Sequence, residues 1–171
     1  MSPRRAIPLF AIVALGGTLD ALPAHADDAS CKPVSDAMLK LARTPYHEMA
    51  TTGGRSFEKI YTTSALYIGS GGHWMKMPAT PKDLLDVTRE SGLAYSGCKP
   101  LRAETVDGQA ATVYAVHYQT TTPAASSDAQ IWVGANGLPL KAESDGLTGP
   151  GKGHTSTHMT YGNVQPPAGV Q

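Results

Sequence analysis

The stretch Gly146-Leu-Thr-Gly-Pro-Gly-Lys-Gly153 comes close to the phosphate-binding pattern of Gly, four residues, Gly-Lys-Ser/Thr. That chemistry needs a hydroxyl after the lysine to hold a metal ion, an apolar strand before the loop and a helix after it. Here Gly153 takes the hydroxyl's place, and the run from His154 to His158 is β-like. The stretch therefore reads as a Gly-rich loop. His154 and His158 have the spacing of a helical zinc pair, yet on a strand they leave the same face about 13 Å apart, too far to share an ion. His47, His73 and His117 fall in separate strand-like runs and read as polar caps on half-buried strands.

No Gly-x-Ser-x-Gly elbow is present, and Ser64 and Ser70 lie in loops or at strand ends with no base nearby, so a hydrolase has no anchor. Glu48, Glu58, Glu104 and Glu143 each fall in a strand-like run among apolar or basic neighbours, which suits a solvated face better than a glycosidase pair. What concentrates instead is soft and amphipathic: Met49, Tyr61, Tyr67, Trp74, Met75, Met77, Tyr114, Tyr118, Trp132 and Met159. Such side chains suit a pocket for apolar ligands and an ordinary core equally. The candidate cavity-lining residues are Trp74, Met75, Met77, Leu84, Leu85, Tyr114 and Trp132. The expectation is a binding protein rather than an enzyme, with no cofactor and no metal.

The ends of the chain say where it works. Arg4 and Arg5, the mostly apolar run from Ile7 to Gly17 and the small-x-small Ala24-His25-Ala26 read as an export signal cleaved near Ala26. The apolar run is too short to span a bilayer as a helix. The Arg pair lacks the Phe-Leu-Lys of a twin-arginine signal, so general secretion is the reading. Ala29-Ser30-Cys31 resembles the end of a lipobox, but Asp28 occupies an apolar position, which argues against lipidation. The location implied is the periplasm, without a stable membrane anchor.

Removing the signal takes Lys plus Arg from 14 to 12 and Asp plus Glu from 14 to 13. That balance gives no electrostatic reason to expect nucleic acid or an anionic membrane surface as partner. The two cysteines, Cys31 and Cys98, would meet an oxidising compartment, and neither has a neighbouring His or a Cys-x-x-Cys partner. They read as a structural disulfide tying an N-terminal helix to the sheet, worth roughly 4 kcal/mol by loop closure.

The elements follow from turn and periodicity signals. Pro33 to Arg43 carries Val34, Ala37, Met38 and Leu41 at helical spacing, and Thr44-Pro45 ends it. Strand-like runs follow at 46–51, 57–62, 65–68 and 73–77, joined by Gly-rich turns. Thr80-Pro81-Lys82-Asp83 opens a second helix, with Thr80 as cap, and Gly92 stops it. The second half predicts strands at 98–106, 111–119, 129–133, 138–143 and 154–161, with a loop from Thr120 to Asp128 and an Asn136-Gly137 hairpin turn. About nine strands and two helices argue for a single α+β domain on a large antiparallel sheet, residues 27–164, followed by a flexible, unpacked tail at 165–171.

The hairpin Ile131-Trp132-Val133 to Asn136-Gly137-Leu138-Pro139-Leu140-Lys141, the Gly-rich loop, and the closing Tyr161-Gly162-Asn163-Val164-Gln165-Pro166 resemble the LolA-type lipoprotein-localisation superfamily. The N-terminal helix, and Glu58-Lys59-Ile60-Tyr61 before Trp74, fit the same layout. The resemblance implies an unclosed β-barrel, a curved antiparallel half-barrel with helices over its concave face. It implies binding of an acyl chain, lipid or lipoprotein by a carrier or sensor, without cofactor. The competing expectation is a structural or protein-interaction domain of the envelope with no ligand cavity.

Overall fold

The computed structural model describes residues 28–145 and 153–170. The export segment read in residues 1–26 and most of the loop from Gly146 to Gly153 lie outside the described residues. A 3-10 turn, Ala29–Cys31, leads into helix α1, Lys32–Leu41. Strands β1 (Tyr46–Thr52), β2 (Arg55–Tyr61), β3 (Ala65–Ser70) and β4 (His73–Pro78) precede helix α2 (Pro81–Glu90). Strands β5 (Ala94–Val106), β6 (Gln109–Thr121), β7 (Ala124–Gly134), β8 (Pro139–Asp145) and β9 (His154–Thr160) complete the order. The strands form one sheet, β4-β3-β2-β1-β9-β8-β7-β6-β5, and every neighbouring pair is antiparallel. The sheet is unclosed, with β4 and β5 at its edges. An open antiparallel sheet with two short helices is the architecture that the resemblance implied.

Local chemistry explains most of these boundaries. Thr80 Oγ1 accepts the Asp83 N–H, and the Asp83 carboxylate accepts the Thr80 N–H at 2.8 Å, which together seal the start of α2. Gly137 adopts φ +73° in the β7–β8 turn, where only glycine turns without strain, and Asn136 Oδ1 accepts the Leu138 N–H at 3.0 Å. Lys40 Nζ donates to the Asn136 carbonyl at 2.5 Å, so α1 is fastened to that turn. Cys31 and Cys98 are bonded, with their Cα atoms 4.9 Å apart and a sequence separation of 67. This bridge pins the start of α1 to the edge strand β5.

The structure corrects the sequence reading in three places. The predicted loop from Thr120 to Asp128 is mostly strand: β6 runs to Thr121, β7 starts at Ala124, and they pair continuously from Thr121↔Ala124 to Ala111↔Gly134. Ala and Ser have weak strand preference of their own, and here the adjoining ladders decide the outcome. Glu48, expected on a solvated face, is only 7 % exposed. The tail expected to be unpacked contributes Val170 which, with Val164, packs against Ile60, Ala65 and Tyr67.

Because side chains alternate along a strand, the register assigns each residue to a face. Tyr46, Glu48, Tyr61, Met159, Ile131, Tyr114 and Tyr95 belong to one face, linked by the pairs Tyr46↔Tyr61, Glu48↔Met159, Tyr114↔Ile131 and Tyr95↔Tyr118. Both helices lie on this face. Val34 of α1 packs with Tyr95, Val116 and Ile131, and Leu41 packs in a second group with Tyr46, Tyr61 and Met159, which Leu84 of α2 joins. The opposite face has its own apolar groups, Ala111-Val113-Trp132-Leu140 and the Ile60-Ala65-Tyr67 set beneath the tail. Burial on both sides gives β6 apolar residues on each face, Val113 on one and Tyr114 and Val116 on the other.

One buried group in this core is unpaired. Tyr61 is fully buried against Tyr46, with ring centroids 5.6 Å apart, and its hydroxyl has no hydrogen-bond partner among the described residues. An unmade buried hydrogen bond costs about 1–3 kcal/mol, whereas removing the hydroxyl costs no contact of this kind. Tyr61→Phe should therefore raise stability by roughly 1 kcal/mol, seen as a higher urea midpoint at unchanged slope. A lower midpoint would mean that the hydroxyl is bonded in solution.

Candidate functional site

Where α1 and α2 approach each other over the sheet they leave a groove of about 460 Å³. Its walls come from both helices: Met38 and Leu41 from α1, with Ala42 at its C-terminal cap, and Leu84, Leu85 and Thr88 from α2. Leu39 and Val87 stand at its mouth, 48 % and 64 % exposed. These apolar side chains face solvent on both lips of one opening, which an ordinary helix pair would bury. α2 itself buries no residue fully, so the groove is roofed by a helix held through its caps and through Leu84.

The floor is polar. Glu48 of β1 and Lys59 of β2 are directly opposite in the register, and Lys59 Nζ donates to Glu48 Oε1 at 2.8 Å. Tyr46 lies beside them, and burial, then the Glu48 charge, then Tyr61 raise its phenol well above the usual range. Tyr161 is raised by burial and by Tyr46 and Glu48, and its hydroxyl donates to the Pro139 carbonyl. Both phenols are therefore neutral, and the only charges on the floor are the ion pair. Arg89, also lining the groove, gives Nη2 to Asp86 Oδ1 at 2.5 Å.

The structure brings two of the sequence-predicted lining residues, Leu84 and Leu85, into this groove. Met75 and Met77 belong to the same sheet face but lie out on edge strand β4, Met75 being 55 % exposed. Tyr114 also shares the face, yet it packs with the α1 cluster and borders a separate shallow depression beside Val133 and Ala135. Trp74 and Trp132 are on the opposite face, Trp74 among Ile60, Ala65 and Tyr67, and Trp132 between Val113 and Leu140. Trp74 and Met75 are sequence neighbours in one strand, so period-two alternation keeps them from sharing a cavity. The α1 contribution was readable as the continuation of its apolar stripe. The Glu48–Lys59 pair was not, because it exists only through strand register.

Four of the histidines are each engaged by one carboxylate. His47 pairs with Glu58 at 2.9 Å, His117 with Asp128 at 2.8 Å, His154 with Asp145 at 2.7 Å and His158 with Asp107 at 2.7 Å. Among the described residues, no three His, Cys, Asp or Glu side chains stand where they could hold one metal ion.

Comparison with known proteins adds likeness in shape only. No family model and no curated protein matches the chain. Among solved structures it is similar to Mycobacterium tuberculosis lipoprotein LppX, with 11% identity over 85% of this chain and 100% of that one and a TM-score of 0.49. It is similar also to LprF from Mycobacterium bovis, with 11% identity over 83% of this chain and 95% of that one and a TM-score of 0.47. At that level no residue role passes from either protein to this chain, and the groove stands on its own geometry.

Proposed function

We propose that this chain is an exported, non-enzymatic binding protein, a half-barrel that takes an apolar ligand with one acyl chain into the groove between α1 and α2 and serves as a periplasmic carrier or sensor. The observation that carries the reading is the groove itself, about 460 Å³, with Met38, Ala42, Val87 and five leucines among its lining. Ligand sites typically span about 300–1,000 Å³. At about the 30 Å³ per methylene that a water molecule occupies in the liquid, that volume is on the scale of one medium to long acyl chain. The buried Cys31–Cys98 bridge supports an oxidising compartment.

Native mass spectrometry of protein purified from its own periplasm should show a bound mass in the range of a single-chain lipid. Saturable brightening of a neutral naphthylamine probe should report the same site. Quenching of Trp74 or Trp132 is a poor readout, since both rings lie on the far face. Leu85→Trp, which fills the groove from α2, should weaken the probe at least about tenfold, or 1.4 kcal/mol, while its thermal midpoint stays near that of the parent. Unchanged affinity would remove the groove as the site.

A second reading rests on β4. The other edge, β5, is broken by two register shifts and carries Pro100, whereas β4 presents a continuous ladder partner with Met75 exposed. An envelope protein could add a strand there. Capture from the envelope should then recover one protein reproducibly and lose it with Met75→Pro.

A further inference from the structure

An apolar cargo alone does not require an ion pair on the groove floor. Taking Glu48 and Lys59 out of water costs desolvation that a pair of apolar side chains in the same places would not. The two halves are unequally placed: the Glu48 side chain is 10% exposed and the Lys59 side chain 34%. The carboxylate is thus the covered partner and the ammonium the reachable one. An ammonium has three donors. Among the described residues Nζ makes one hydrogen bond, to Glu48 Oε1 at 2.8 Å, and stands 5.6 Å from the centroid of the Phe57 ring, so donors remain beyond the Glu48 bond. The second cation lining the groove, Arg89, is already held by Asp86 at 2.5 Å.

We propose that the ligand is a long-chain carboxylic acid whose ionised head is received by Lys59, with its tail along Met38, Leu84, Leu85 and Leu93. The inference rests on the acyl-chain reading of the groove and adds the head group to it. Lys59 then bridges two carboxylates, Glu48 holding the ammonium in place and the ligand taking its outward donors. A neutral head of the same chain length fills the same apolar volume but leaves those donors unmatched.

The test is displacement of the naphthylamine probe from delipidated mature protein at pH 8 by laurate, methyl laurate, 1-dodecanol and dodecyl phosphate. Laurate should displace the probe about tenfold more tightly than the ester or the alcohol, a ratio worth about 1.4 kcal/mol. Equal displacement by acid, ester and alcohol would overturn the head-group assignment while leaving the acyl-chain reading intact. Tighter binding of dodecyl phosphate than of laurate would overturn the carboxylic acid as the class. If neither the probe nor any of the four binds, the acyl-chain reading fails with it. The wild-type comparison needs no variant. Glu48→Gln with Lys59→Met, which removes both charges together, should bind laurate and its ester alike, and a preference that survives in it would overturn the role of Lys59.

Discussion

Replacing Cys31 and Cys98 together by alanine should cost about 4 kcal/mol of stability, the loop-closure value for a cross-link of this span. The bridge joins residues 67 positions apart, and its two sulfurs belong to residues that are 0% and 6% exposed within the Val34-Tyr95-Val116-Ile131 cluster. It is also the covalent tie between α1 and edge strand β5. Without it α1 keeps the Lys40–Asn136 bond and its apolar stripe, so the fold should persist at low temperature with a midpoint lower by on the order of 10 °C. The consequence for binding should be larger than for the sheet, because α1 supplies one wall of the groove. Thermal melts with and without reductant measure the first effect, and probe titration below the midpoint measures the second. A midpoint unmoved by reductant, with the thiols shown to be free, would mean that packing alone holds α1.

Trp132→Ala should be the most damaging single substitution, at roughly 3–5 kcal/mol for a buried large aromatic. The ring is 2% exposed and packs with Val113 and Leu140 on the face away from the helices. Lys141 Nζ lies 4.5 Å from its centroid and the Arg102 guanidinium 5.9 Å, so two cations lose an aromatic face as well. Its Nε1–H donates to Glu104 Oε2 at 2.5 Å. That bond, then the one from Arg102, holds the Glu104 carboxyl below its usual value of 4.5. A lowered folded-state value means that Glu104 adds stability above the unfolded value and loses it as pH falls through the folded one. The stability gap between the parent and Glu104→Gln should therefore be present near neutrality and start to close as pH falls below the usual carboxyl value of 4.5. A gap that widens in acid would reverse the assigned sign. Because Trp132 is on the far face, Trp132→Phe should leave probe affinity unchanged, which separates the structural aromatic from the groove.

The two functional readings make opposite demands on the same molecule. A carrier needs the lips at Leu39 and Val87 open and α2 only lightly held, and α2 buries no residue fully. An interaction domain needs only the β4 edge. Leu85→Trp and Met75→Pro address the two surfaces separately, so their effects distinguish a ligand from a partner.

The amino-acid sequence by itself determined what short-range chemistry decides. Thr80, Pro81 and Asp83 specify the start of α2, and Asn136-Gly137 specifies the β7–β8 turn, because caps and tight turns are closed by residues a few positions apart. The strand order along the chain and the cysteine pairing were also legible, the latter because only two cysteines exist. The sequence reading placed Trp74 and Met75 in one cavity, whereas alternation along β4 parts them, and which of the two faces the helices is not a local matter. Tertiary structure alone decided that choice, since it depends on which face α1 and α2 cover. It turned the Ala- and Ser-rich run after Thr120 into strand, because an eleven-pair ladder outweighs weak local preference. It also made Glu48 a buried charge: its partner Lys59 is eleven residues away, and only the β1–β2 register sets them face to face beneath two helices.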